Sequence, residues 1–296
     1  MPEEAEYNPQ EQRALSMMAL LFEKKVELPP SKAFYEKLKQ RGYETNAEWE
    51  SSDAEMRLFY LPQYTVDFTD AKGVPYQLML TSCSQVEKPR GDALVRSQFW
   101  QTPNGAELLD ASPWQIFISD FMSSTHPAKV RAQIVSDWLE IALELFPDCK
   151  AVWFEGSQNV MTAESLRDNP YQGINRIFHG AVNARFFRVD GTEDMVVDTL
   201  GLHVFGVPDV QLHFHDLDPN HVVRLATNIG IYQLENDAPI KDGETIDGMD
   251  ADGDYQPNTR WHCQHEVSLI APKREVLDIN AGEFAAGKRN SQIQTG

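Results

Sequence analysis

Cysteine is scarce in this 296-residue chain: Cys83, Cys149 and Cys263 are odd in number, and no two form a C-x-x-C pair. That excludes a disulfide framework and suits a reducing compartment. Basic residues are also few, 26 Lys and Arg against 45 Asp and Glu, for a formal net charge of -19. Such a balance repels nucleic acid and anionic membrane surfaces. The first apolar run, residues 14–22, is far too short to span a bilayer. The opening MPEEAEYNPQEQ is acidic and polar, unlike a secretory signal or transit peptide. The expected location is the cytoplasm, with no membrane and no nucleic acid as partner. Catalytic signatures are missing as well. There is no G-x-S-x-G elbow, P-loop, dinucleotide-binding G-x-G-x-x-G or kinase motif.

The hydrophobic content of 42% is enough for a large core. Its best-formed unit is residues 114–156, which read as strand, helix, strand. Ile116, Phe117 and Ile118 suit a buried strand. Thr125 offers a helix cap, and Pro127 fits a first helical turn. Val130, Ile134, Trp138, Ile141 and Leu145 recur at helical spacing, and Pro147 ends the helix. Residues 151–154 form a second buried strand. No titratable cluster is expected at 119–125, so this unit reads as scaffold. Before it come a strand at 17–22, a helix from Ser31 to near Gly42, and strands at 57–67 and 76–81. Residues 84–112 are polar, with Pro89, Gly91, Pro103 and Gly105, and read as a long connection or partly helical insertion.

Further along, Thr162 starts a short helix, and strands are expected at 184–190, 195–205 and 210–215. Asp218 caps a helix beginning at Pro219. An acidic loop follows at 236–259, then one or two strands within 261–278. The fold class is α+β or α/β: a mixed sheet with helices packed mainly on one face, and two similar strand–helix–strand halves. The expected organisation is a disordered arm at 1–12, a single compact body at 13–281, and a frayed tail at 282–296. Within that body, halves 13–83 and 113–281 are joined by the connection 84–112.

One region carries a resemblance. Thr199-Leu200-Gly201-Leu202, Phe205-Gly206-Val207-Pro208-Asp209-Val210, Asp242-Gly243-Glu244-Thr245-Ile246, and then Leu269, Pro272 and Arg274 follow in order. In these motifs, residues 199–278 resemble the C-terminal region of a mainly bacterial family, domain of unknown function 4261. The resemblance implies a common fold more than a common reaction, and carries over no catalytic residue. The sequence departs from the pattern at Asp247, where the glycine comes one residue later, at Gly248.

Three clusters hold candidate chemistry. His213 and His215 alternate along an expected strand, and His262 and His265 flank Cys263 on a later one. If the two strands are neighbours, these histidines could ligate zinc; otherwise they are polar strand-face residues. Asp250, Asp252 and Asp254 alternate as calcium ligands sometimes do, but Tyr255 stands where an EF-hand needs glycine, and a solvated loop is the default. A thiol nucleophile is the remaining chemistry: Cys263 has histidines close in sequence, but strand spacing does not guarantee contact, and Cys149 reads as a small apolar filler. Aromatic residues Trp49, Phe99, Trp100, Trp114 and Trp261 lie at or near expected loops, where they either cover core edges or serve an interface.

The preferred reading is a non-enzymatic protein-binding module, without a cofactor, whose acidity suits a basic partner. An immunity-type protein neutralising a basic toxin is its concrete form. The alternative is a metal-dependent hydrolase built on His213, His215, His262 and His265. A homo-oligomer using an exposed sheet edge is the third possibility.

Overall fold

A computed structural model describes residues 15–45 and 55–287. The expected arm at 1–12, Trp49 and residues 288–296 lie outside the described residues. Within them the fold is a mixed α+β fold with two sheets and seven α-helices, divided into two compact units. One unit holds residues up to 183 together with 201–207; the other holds 184–200 and the chain from 208 onward.

The first unit contains β1 (Met18–Phe22), α1 (Ser31–Gln40), β2 (Met56–Val66), β3 (Val74–Thr81), β4 (Ser84–Gln85), α2 (Ala93–Arg96), α3 (Gly105–Ala111) and β5 (Trp114–Phe121). It continues with α4 (Ala128–Leu145), β6 (Ala151–Phe154), β7 (Asn159–Thr162), α5 (Ala163–Arg167) and α6 (Ile174–Ala181). The strand order is β2-β3-β5-β1-β6-β7, with β4 beside β5. All these pairings are antiparallel.

The expected β5–α4–β6 unit is present, but its two strands are not neighbours. β1 lies between them, Met18 opposite both Ile118 and Phe154. This central place explains why β1 is buried along its whole length. It also means that the segments on either side of 84–112 belong to one sheet. Thr125 does not cap α4; Pro127 holds the cap position and no side-chain bond closes it.

The alternation of β1 sends its side chains to both faces of the sheet. On one face Phe22 packs edge-on against Phe146, and Phe34, Phe59 and Trp138 cluster with ring centroids 5.2–5.6 Å apart. On the other face Ala19 and Leu21 meet Phe99, Leu109, Trp153 and Val160. The connection 84–112 is therefore a cover for the second face, and helices are not confined to one side. At the outer strand β2, the register shifts between Leu61 and Thr65 around Pro62. A proline with no N–H to donate blunts that edge.

The second unit contains β8 (Asn183–Arg188), β9 (Met195–Leu200), β10 (Asp209–Phe214), α7 (Pro219–Glu235), β11 (Thr245–Met249), β12 (Tyr255–Val267) and β13 (Glu275–Asn280). The order is β11-β12-β13-β10-β9-β8. β10 and β13 run parallel, which makes this the mixed sheet. α7 lies against β9 and β10. It starts as expected: Asp218 accepts the Asn220 N–H at 2.8 Å and Pro219 occupies the first turn.

Two expectations for this unit are corrected. The acidic stretch 236–259 is not a loop throughout; it contains β11 and the beginning of β12, joined as a hairpin. Residues 282–287 are not frayed. Gly282–Phe284 forms a 3-10 turn, Ala285 bridges to Phe214, and the Ala286 N–H reaches the His213 carbonyl at 2.9 Å. Among the described residues, no helix is long and apolar enough to cross a membrane.

Candidate functional site

The four histidines are not one donor set, because their strands are not neighbours: β13 separates β10 from β12. His213 points toward Asp194, Nε2 to Oδ2 3.7 Å, under a chain crossing at Gly287 where an added Cβ would come within 2.7 Å of its ring. His215 lies beyond the end of β10 and bonds its neighbour Asp216 at 2.8 Å. His262 and His265 are three apart on β12, so they face opposite sides of the sheet. Among the described residues, no group of three or more His, Cys, Asp or Glu side chains could hold a metal ion.

His265 is held at both ring nitrogens. Its Nδ1 is 2.7 Å from Glu275 Oε1 and its Nε2 is 3.0 Å from the Ile240 carbonyl. An imidazolium donates to both acceptors; a neutral ring serves only one. The Glu275 hydrogen bond accordingly raises the His265 pKa, and the Ile240 carbonyl adds to it against the opposing effect of burial. The same bond lowers the pKa of Glu275. A raised folded pKa stabilises fully below the unfolded value of about 6.5, and this contribution fades as pH rises through the folded value. The depressed Glu275 contributes above its unfolded value of about 4.3, and this is lost as pH falls through the folded one. His265→Gln should therefore flatten the loss of stability that this pair contributes on the alkaline side of about pH 6.5. Thermal melts of both proteins from acid to mildly alkaline pH check it; parallel pH profiles would contradict it.

A buried polar layer crosses one face of the second sheet. Gln211 stands opposite Asp198 on one side and Asp278 on the other, and Asp278 stands opposite Gln264. Asp198 receives a bidentate fork from Arg185 at 2.8 and 2.6 Å, and Arg274 Nη2 at 2.7 Å. Arg274 Nε donates to Asp209 at 2.9 Å, and the Thr199 hydroxyl donates to the other Asp209 oxygen at 3.0 Å. Two guanidiniums and two carboxylates thus neutralise each other out of contact with water. Burial works to lower the Arg274 pKa, but Asp209 and Asp198 more than offset this and raise it. Backbone bonds tie residues 268–274 to the layer: the Leu269 N–H donates to Gln211, and the Ala271 carbonyl accepts from Arg185. The arrangement is a clamp that holds this loop onto the sheet, with Arg185 and Arg274 paired to Asp198 and Arg274 also to Asp209.

The first unit has a counterpart that the sequence reading excluded. Asp120 is fully buried. It accepts the Ser16 N–H at 3.1 Å, the Tyr76 hydroxyl at 2.8 Å, and Arg131 Nε and Nη2 at 3.2 and 3.0 Å. Burial first, and then the Asp120 charge, push the Tyr76 hydroxyl well above its usual range, so it acts as a neutral donor.

The concave surface of interest lies in the second unit, where an open groove of about 720 Å³ runs beside β11. It is lined by Tyr232, Pro239, Ile240 and residues 243–246. β11 ends the sheet, and an end strand leaves alternate N–H and C=O groups unpaired along its outer edge. Between Glu235 and Asp254 the sequence holds eight acidic residues and one lysine, Lys241. Among the described residues, no group of three or more of these carboxylates is placed to hold a metal ion, and Asp247 is paired with Arg260. Asp250 instead accepts the N–H groups of Asp252 and Asp254 at 3.1 and 3.0 Å and the Gln256 amide at 2.6 Å, shaping the hairpin turn. These bonds give Asp250 a turn-forming role in place of the calcium-ligand alternative.

The remaining candidates divide plainly. Cys149 and Cys263 are buried, and burial pushes both thiols up to about 12, which disfavours thiolate chemistry. Phe99 and Trp261 are core residues, Trp114 is half-buried, and Trp100 is 58% exposed.

Residues 198–280 match a family model described as Domain of unknown function (DUF4261). The match runs from Asp198 in β9 to Asn280 at the end of β13, somewhat over a quarter of the chain. It contains Asp198, Asp209 and Arg274 of the clamp and the whole groove. No curated protein and no solved structure matches the chain.

Proposed function

We propose that the protein is a non-enzymatic binding module whose contact surface is the groove beside β11, with Glu244 in its lining, together with the acidic segment around it, and that its partner is a basic protein. The observation that carries this reading is a coincidence: all of the groove lining except Tyr232, the strand at the end of the sheet and the eight acidic residues fall between Glu235 and Asp254, with Glu244 in the lining itself. A surface of one charge accelerates encounter with an oppositely charged partner and rejects partners of like charge. In its concrete form, the module is an immunity-type protein in the cytoplasm that covers the basic surface of a toxin.

Affinity capture from the native host with the full chain tests this. The expected result is a basic protein that elutes as salt rises, and whose retention falls at least roughly tenfold with Glu244→Lys, Asp252→Lys and Asp254→Lys combined. These three residues are exposed, so the variant is expected to fold. Retention of the same proteins by the charge-reversed chain, independent of salt, would sink the reading.

A further inference from the structure

We infer that the groove receives an extended basic segment by strand addition. The partner's backbone pairs with the outer edge of β11, and one of its Lys or Arg side chains enters between Tyr232 and Glu244. The inference rests on the reading of the acidic segment as the contact surface, and it adds how the partner is held.

The end strand is the first ground. β11 is exposed or half-buried from Thr245 to Asp247. It carries no proline, in contrast to the edge strand β2 with Pro62. A strand added to it would lie about 4.8 Å away and send alternate side chains toward the groove. The lining is the second ground. Ile240 is buried and offers an apolar floor, Tyr232 is 50% exposed at the last turns of α7, and Glu244 is exposed on the β11 side. An aliphatic stem over Ile240, with its cation near the tyrosine face and a carboxylate, is how a lysine or arginine buries its length and keeps its charge satisfied.

Charge complementarity selects the occupant. A second copy of this chain would bring the same acidic run against itself. A basic segment neutralises it.

The test uses the full chain and short synthetic peptides, with affinity read by fluorescence anisotropy. One peptide alternates Lys and Thr, a second has Glu for Lys, and two more carry N-methyl groups on one or the other alternate set of residues. Strand addition expects the Lys peptide to bind and the Glu peptide not to. N-methylation of one set should weaken binding at least roughly tenfold, and of the other set by less than about twofold. Tyr232→Ala should weaken the Lys peptide roughly fivefold. Equal affinity of both N-methylated peptides would overturn strand addition while leaving the acidic contact surface in place. Equal affinity of the Lys and Glu peptides would overturn both. Sedimentation showing that the chain self-associates through this edge, with the peptide excluded from it, would assign the edge to a second copy and overturn the inference.

Discussion

Arg274→Ala should unfold the 184–200 and 208–287 unit under conditions in which the unaltered chain is folded. Arg274 is 1% exposed and bridges Asp198 and Asp209, themselves fully buried. Removing it leaves two carboxylates in the interior, with only Arg185 to offset them. Breaking a buried pair in this way costs about 3–5 kcal/mol, against a typical total of about 5–15 kcal/mol for a folded domain. The loop 268–274 would lose its anchor as well, since Arg274 also donates to the carbonyls of Ile270 and Pro272. Arg274→Lys should recover only part, because an ammonium cannot fork between two carboxylates as a guanidinium does. Thermal denaturation followed by amide exchange over these residues measures it. A loss below about 1 kcal/mol would mean the network is dispensable.

Asp120→Ala should be comparably damaging in the other unit. It leaves the Arg131 guanidinium buried, with the Val204 carbonyl as its remaining acceptor at 2.9 Å. It also removes the acceptor of the Tyr76 hydroxyl and of the Ser16 N–H. The uncompensated charge alone costs about 3–5 kcal/mol, and each orphaned donor adds about 1–3 kcal/mol less whatever water restores. Asp120→Asn keeps the shape and should lose less. Urea titration is the appropriate measurement: a lower midpoint at unchanged slope is expected, since the same surface is exposed on unfolding. An unchanged midpoint would contradict the account.

Both effects concern residues that sequence pattern misplaces. Periodicity found β1, α1, β5, α4, β6 and α7 because each carries an apolar stripe or run, and the Asp218–Pro219 start of α7 because its cap chemistry is local. It could not find strand order, so β1 between β5 and β6 came only from the structure. The acidic hairpin reads as a loop in the sequence because β11 is a five-residue strand, Thr245–Met249, whose pairing with β12 supplies what its polar composition lacks.

Buried charge was illegible for a related reason: a polar residue in a strand is assigned to the solvent face, and a partner 76 positions away in sequence, as Arg274 is from Asp198, leaves no local trace. Two hints were present. Asp120 interrupts an apolar strand, and Thr199, Asp209 and Arg274 are all among the residues that carry the family resemblance. The histidines failed in the opposite way. Their spacing suggested convergence, but β13 separates their strands, and a three-residue step turns His262 and His265 to opposite faces.

The groove beside β11 was legible only as an acidic stretch. Its concavity depends on α7 and the segment at 239–240 meeting an end strand, and its role as contact surface is the central claim. Amide exchange of the full chain with and without its captured basic partner tests that claim most directly. The expected result is slowed exchange concentrated at residues 243–249, with lesser slowing around Tyr232 and the hairpin turn at 250–254. Slowed exchange that spares this stretch and appears instead around the exposed Leu94 and Trp100 of the other unit would contradict it.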